Sequence, residues 1–193
     1  MASTYTSNSG IEKPGTGEQS GTWGSTTNLN FDIIDRIVSG VGSITLTGTT
    51  HTLTTSDGTL SDGMFKVLVL GGSPSGTNTI TISPNDAEKL YFVKNDSGQS
   101  VIFTQGSGSN VTVADGATKI IFADGAGSGA AVTDFTNSLA LNATSLSIGG
   151  TAVTATAAEL NYTDVTTLGT VEASKAVTAD SNADVLFGDN DKL

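Results

Sequence analysis

The 193-residue sequence contains no cysteine, one histidine (His51), one arginine (Arg36), one tryptophan (Trp23) and three prolines. Without cysteine there is no disulfide scaffold, no thiolate metal centre and no cysteine nucleophile. A single histidine excludes a multi-histidine metal site. No run of about 18 apolar residues occurs, so no membrane insertion is expected. The first ten residues have neither the basic nor the apolar stretch of a secretory signal, and none is expected. Basic residues are also scarce, 8 against 19 acidic, for a net charge of −11. Phosphate backbones are neutralised by clustered Lys and Arg, so no nucleic-acid partner is expected. An anionic membrane surface would repel the chain as well.

What is abundant is small and polar. Gly, Ser and Thr supply 77 of the 193 residues, whereas Leu, Ile, Val and Phe supply only 46. That second share is just above the roughly 20 % below which a charged chain stays disordered. A core is affordable but thin, and its distribution along the chain divides the sequence into three parts.

Residues 1–40 read as an irregular arm followed by one helix. The arm has little apolar surface beyond Ile11, Pro14 and Trp23, so it is ordered only where it lies on something else. From 28 to 39, with Asn28 as cap, residues Leu29, Ile33, Ile34, Ile37 and Val38 recur at helical spacing. Asp32 and Arg36, four apart, suit an ion pair on the polar side. Gly40 is the expected stop.

Residues 41–135 change to a period of two. Ser43–Thr47, Thr79–Ser83 and Val111–Val113 alternate, and 65–70, 90–93, 101–104 and 119–122 read as more buried strands. Asp-Gly, Gly-Gly and Asn-Asp-Ser-Gly turns separate them. About eight strands at this spacing predict a β-sandwich or jelly-roll-like domain. Residues 136–193 carry only scattered valines and leucines. Thr156-Ala-Ala-Glu159 is a capping box opening a short helix. One copy of this tail buries too little to offset its ordering entropy, so identical chains are expected to complete its core.

Catalytic and metal constellations are poor. A Ser/His/Asp triad could use only His51, which an alternating strand would point to solvent. Most aspartates stand in turns, serving the backbone rather than a paired-carboxylate cleft. Gly125-Ala-Gly-Ser-Gly129 lacks the partners of a phosphate loop. Asp180-x-Asn182-x-Asp184, with Asp189 and Asp191 near, has calcium-like spacing, but Val185 stands where the loop needs Gly; at most a weak surface Ca²⁺ site follows. No enzyme activity and no cofactor are expected.

Three strings resemble those of a known family. Ile11-Glu-Lys-Pro-Gly-Thr-Gly-Glu-Gln-Ser-Gly-Thr-Trp-Gly24, followed by Asn28-x-Asn30, is similar to the start of tail-fibre proteins of tailed bacteriophages, especially marine phages infecting cyanobacteria. Gly150-Thr-Ala-Val-Thr-Ala-Thr-Ala-Ala-Glu-Leu-Asn161 resembles a module of their shafts, and Ser174-Lys-Ala-Val-Thr-Ala-Asp180 a linker in them. The resemblance implies a homotrimeric virion component made in the host cytoplasm. Its base would dock to the tail or an adaptor protein, and distal parts would meet a host cell-surface receptor. On that reading Pro14, Trp23, Asn28, Leu29, Ile33 and Ile37 are the docking residues. Leu160, Tyr162, Val165, Leu168 and Val177 line the trimer axis of an intertwined fibrous segment. The alternatives are a capsid-decorating fibre or a carbohydrate-binding adhesin module, and, less favoured, a polysaccharide depolymerase.

Overall fold

The computed structural model describes residues 2–136, 146–148, 150–171 and 175–185. The chain forms two compact units, Met1–Leu139 and Ala140–Leu193. Among the described residues the structure is mainly β with two α-helices, the class the sequence pattern predicts.

In the first unit a small antiparallel hairpin, β1 (Thr4–Tyr5) with β2 (Glu12–Lys13), precedes helix α1 (Trp23–Ser39). Nine strands follow: β3 (Val41–Leu46), β4 (Thr50–Thr54), β5 (Val67–Gly72), β6 (Asn78–Ser83), β7 (Glu88–Asn95), β8 (Val101–Thr104), β9 (Val111–Val113), β10 (Thr118–Asp124) and β11 (Val132–Asp134). They make two sheets, ordered β11-β10-β7-β5-β3 and β4-β6-β8-β9. One core lies between them. Along β7 every second residue is buried, and Tyr91 and Val93 meet Leu68 and Leu70 of β5 and Phe103 of β8. Full burial of each such side chain contributes roughly 1.5–3 kcal/mol.

The two facing sheets match the sandwich expected from the sequence, but the connectivity is not that of an antiparallel jelly roll. From β3 to β8 the chain alternates between the sheets, so β3, β5 and β7 are parallel neighbours, as are β4, β6 and β8. Val41 lies beside Val67, and Val67 beside Phe92, so successive turns of this coil take 26 and 25 residues. Parallel neighbours need a crossover of a dozen or more residues. Here a strand of the other sheet supplies it in place of a helix. After β8 the direction reverses, and antiparallel β9, β10 and β11 close the coil.

Arm and helix do not stand apart from the sandwich as a separate region. Asn8 hydrogen-bonds β7 in both directions, accepting from the Glu88 N–H at 3.0 Å and donating to its carboxylate at 3.3 Å. Its carbonyl accepts from the Lys89 ammonium. The Gly58 N–H donates to the Gly10 carbonyl at 2.7 Å. Gly10 has φ +62°, and a Cβ there would stand 2.7 Å from the Ser56 oxygen, so only glycine lets the arm lie this close.

In the second unit β12 (Leu146–Ile148) and β13 (Thr151–Val153) form a hairpin, followed by α2 (Ala157–Tyr162). The expected capping box forms: the Glu159 N–H donates to Thr156 Oγ1 at 3.2 Å, and the Thr156 N–H to Glu159 Oε2 at 2.8 Å. These bonds to Thr156 hold the Glu159 carboxyl below its ordinary value. The chain then doubles back, the Ala176 N–H donating to the Tyr162 carbonyl at 2.6 Å.

Candidate docking surface

Helix α1 begins at Trp23, five residues earlier than its apolar pattern suggests, with Thr22 rather than Asn28 at the N-cap position. Small polar residues 24–27 carry no apolar period, which hides this first turn from a sequence reading. Asn28 is therefore an exposed residue within the helix.

The helix is apolar over a wide arc, and the structure splits that arc in two. Ile33 is fully buried, with Leu29 and Ile37 half-buried beside it. These three of the expected docking residues hold the helix on its own domain; Ile33 cannot reach a partner without unpacking. Arg36 secures the same side, donating to the Ser61 carbonyl at 3.2 Å and lying 4.4 Å above the Phe65 ring. It does not pair with Asp32, because the carbonyl and the aromatic face offer a better-organised site. The Phe65 ring fills the place a side chain would take at Gly42, so the glycine seats the ring under the guanidinium.

The other half of the arc faces outward, and of its members only Trp23 is among the expected docking residues. Trp23 is 65 % exposed, and Phe31, Ile34 and Val38 are also exposed. Trp23 and Pro14 do come together: they flank a hollow of about 280 Å³ with Gly15, Gly17, Gln19 and Ser20. Its loop is held by carboxylates. Glu12 and Glu18 share the one Ser3 hydroxyl, their oxygens 2.6 and 2.8 Å from its Oγ; Glu12 also accepts from Gln19, and Glu18 from the Gly15 N–H at 3.1 Å. The Ser3 hydroxyl holds the Glu18 carboxyl below its ordinary value. Asn30 ties arm to helix: its Oδ1 accepts from the Glu12 N–H at 3.0 Å and its Nδ2 donates to the Glu12 carbonyl at 2.8 Å.

Residues expected at a trimer axis lie in the second unit. Leu160, Tyr162, Leu168 and Val177 are exposed in the single chain, and Val165 is half-buried. Their apolar surface has little intrachain cover.

The chemistry-bearing side chains elsewhere engage groups of the chain itself. His51 does not point freely to solvent as its strand pattern suggests. Its Nε2 lies 3.0 Å from Asp62 Oδ2, and Asp62 Oδ1 accepts the Thr54 N–H at 2.7 Å. Tyr91 donates to the Gly63 carbonyl at 2.8 Å, and burial, with a contribution from the Asp62 charge, raises its pKa. At the calcium-like string, Asp180 Oδ1 accepts the N–H groups of Asn182 and Asp184 at 2.8 and 2.9 Å, a turn-capping role. Asp189 and Asp191 lie outside the described residues, and no group of three metal-capable side chains occurs among those described. No helix among them is long and apolar enough to cross a membrane.

No protein-family model, curated protein or solved structure matches the chain.

Proposed function

We propose that the chain is a non-enzymatic structural component of a virion: the base and proximal shaft of a homotrimeric tail fibre of a tailed bacteriophage. The observation that carries this reading is apolar side chains left outward at both ends of the chain, Trp23 on the arm side and Leu160, Tyr162, Leu168 and Val177 in the second unit. A chain with net charge −11 and so much Thr and Ser has no solubility reason to expose them. Three copies packed together would cover the second set, and a tail or adaptor protein the first. Large aromatics such as Trp23 concentrate binding energy at such contacts. Distal parts of the fibre would then reach the host cell-surface receptor. The motifs at 11–24, 150–161 and 174–180 support the same assignment.

Trp23→Ala should abolish incorporation into tails while leaving the circular dichroism of the β domain unchanged; full incorporation would remove Trp23 from the site. Light scattering of the intact chain should give three times the monomer mass. Glycan binding with no tail association would favour the adhesin reading, and decoration of capsids would favour a head fibre.

A further inference from the structure

The outer faces of the two sheets differ in a way that β propensity does not explain. On the four-stranded sheet the outward rows are Thr50-Thr79-Ile102-Thr112 and Thr52-Thr81-Thr104. On the five-stranded sheet one outward row crosses four strands, Val41, Val67, Phe92 and Ile120 standing in register, and Phe135, just past the end of β11, extends it with its N–H on the Ile120 carbonyl. Leu90 and Phe122 lie opposite each other one row on, and the Phe122 and Phe135 rings stack at 5.5 Å. Val41 is 59 % exposed, Phe92 41 % and Phe135 42 %.

Helix α1 runs into this row. Within α1, Thr27, Phe31, Ile34 and Val38 follow at steps of four, three and four, the spacing of a coiled-coil seam, and Val41 opens β3 two residues past the helix end. Phe31 is 62 % and Val38 67 % exposed. Ile37 and Leu90 line one hollow of about 180 Å³, so helix and sheet adjoin.

We infer that this helix stripe and sheet row form the surface on which neighbouring copies of this chain meet. The inference deepens the fibre reading, and rests on it only for the number of copies. Three observations select a copy over an unrelated partner. A 3.5-residue seam is complementary to the same seam on an equivalent helix. With side chains of roughly 150–250 Å² for the aromatics, the exposed members leave on the order of 600–800 Å² of apolar surface. That exceeds the roughly 300–600 Å² of an ordinary largest patch and approaches the ~800 Å² each partner gives to a stable interface. Finally, the row and the seam carry no charge, although the chain carries −11. Copies that repel elsewhere meet here without opposing carboxylates, and a basic partner finds no acid in the row to pair with.

The absence of native cysteine makes the test specific. Ile34→Cys, Phe92→Cys and, on the threonine face, Thr81→Cys are made singly in the full chain. Each is labelled with a negatively charged maleimide at tens of micromolar and after dilution, with mass followed by light scattering. The expected result is an oligomer in which the Ile34 and Phe92 variants react about tenfold or more slowly than the Thr81 variant, the difference vanishing on dilution to monomer. An oligomer labelling equally at all three positions overturns the inference, places the contacts elsewhere, and leaves the fibre reading standing. A monomer at every concentration overturns it too, and the trimeric base with it. An oligomer with the protected face that fails to bind purified phage tails supports the inference and sinks the fibre assignment instead.

Discussion

The two outer faces of the sandwich are built on one backbone plan and share one core, yet one is a threonine field and the other an apolar row. Threonine and valine are nearly isosteric and both favour strands. The choice between them on an outward position therefore reports what the face meets rather than what the strand needs. The threonine rows suit water. Across the five-stranded sheet, Val41, Val67, Phe92, Ile120 and Phe135 suit a dry contact. Selection for a foldable sheet would have left both faces alike.

The sharpest way to break the comparison is to remove what the faces share. Phe103 is fully buried between the sheets. Phe103→Ala should cost about 3–5 kcal/mol and unfold both faces in one urea transition; two separate transitions would show that the sheets do not share a cooperative core.

Lys89 gives the next largest effect and lies only on the five-stranded side. Burial lowers its pKa from 10.5 to about 8. Between those values the unfolded chain binds more protons than the folded one, so stability should rise with alkaline pH from about 8 to 10.5. The gain is on the order of 2–3 kcal/mol. Urea midpoints at pH 7, 8.5 and 10 would read it, and Lys89→Met should remove the slope.

Charge placed on each face sharpens the contrast directly. Phe92→Glu should weaken self-association by about 2 kcal/mol per chain, roughly thirtyfold, whereas Thr81→Glu should leave the association constant unchanged. Equal responses in sedimentation would erase the distinction between faces. The smallest effect concerns the helix beside the apolar row. Asn30→Ala removes both bonds to Glu12 and should cost about 1–2 kcal/mol. It should speed hydrogen exchange at Glu12 before any change in the sandwich.

Much of this architecture is legible in the chain. The switch of period near residue 41, the strands with their Gly-rich turns and the Thr156 capping box correspond to elements observed. Strand direction was not legible, because alternation fixes which side a residue faces and says nothing of its neighbour across the sheet. A weak signal was available: strand-turn-strand stretches beginning near Val41, Val67 and Leu90 recur about every 25 residues. The helix misled for a related reason. Leu29, Ile33, Ile34, Ile37 and Val38 form one broad apolar arc, and only packing decides that Ile33 turns in while Ile34 and Val38 turn out. Trp23 and Pro14, both singled out in the sequence, do flank one hollow. Asn30 was hidden, since an amide that substitutes for a strand's backbone partner leaves no periodic trace.

The coil from β3 to β8 also makes the protein's length adjustable. Each turn of about 25 residues adds one strand to each sheet, widening both by about 4.8 Å. Because a turn contacts mainly its neighbours, one can be duplicated or deleted without redesigning the helix at the start or the antiparallel strands at the close. A lineage could thus tune how far a structure reaches by whole steps, each new turn extending the apolar row and the threonine rows together.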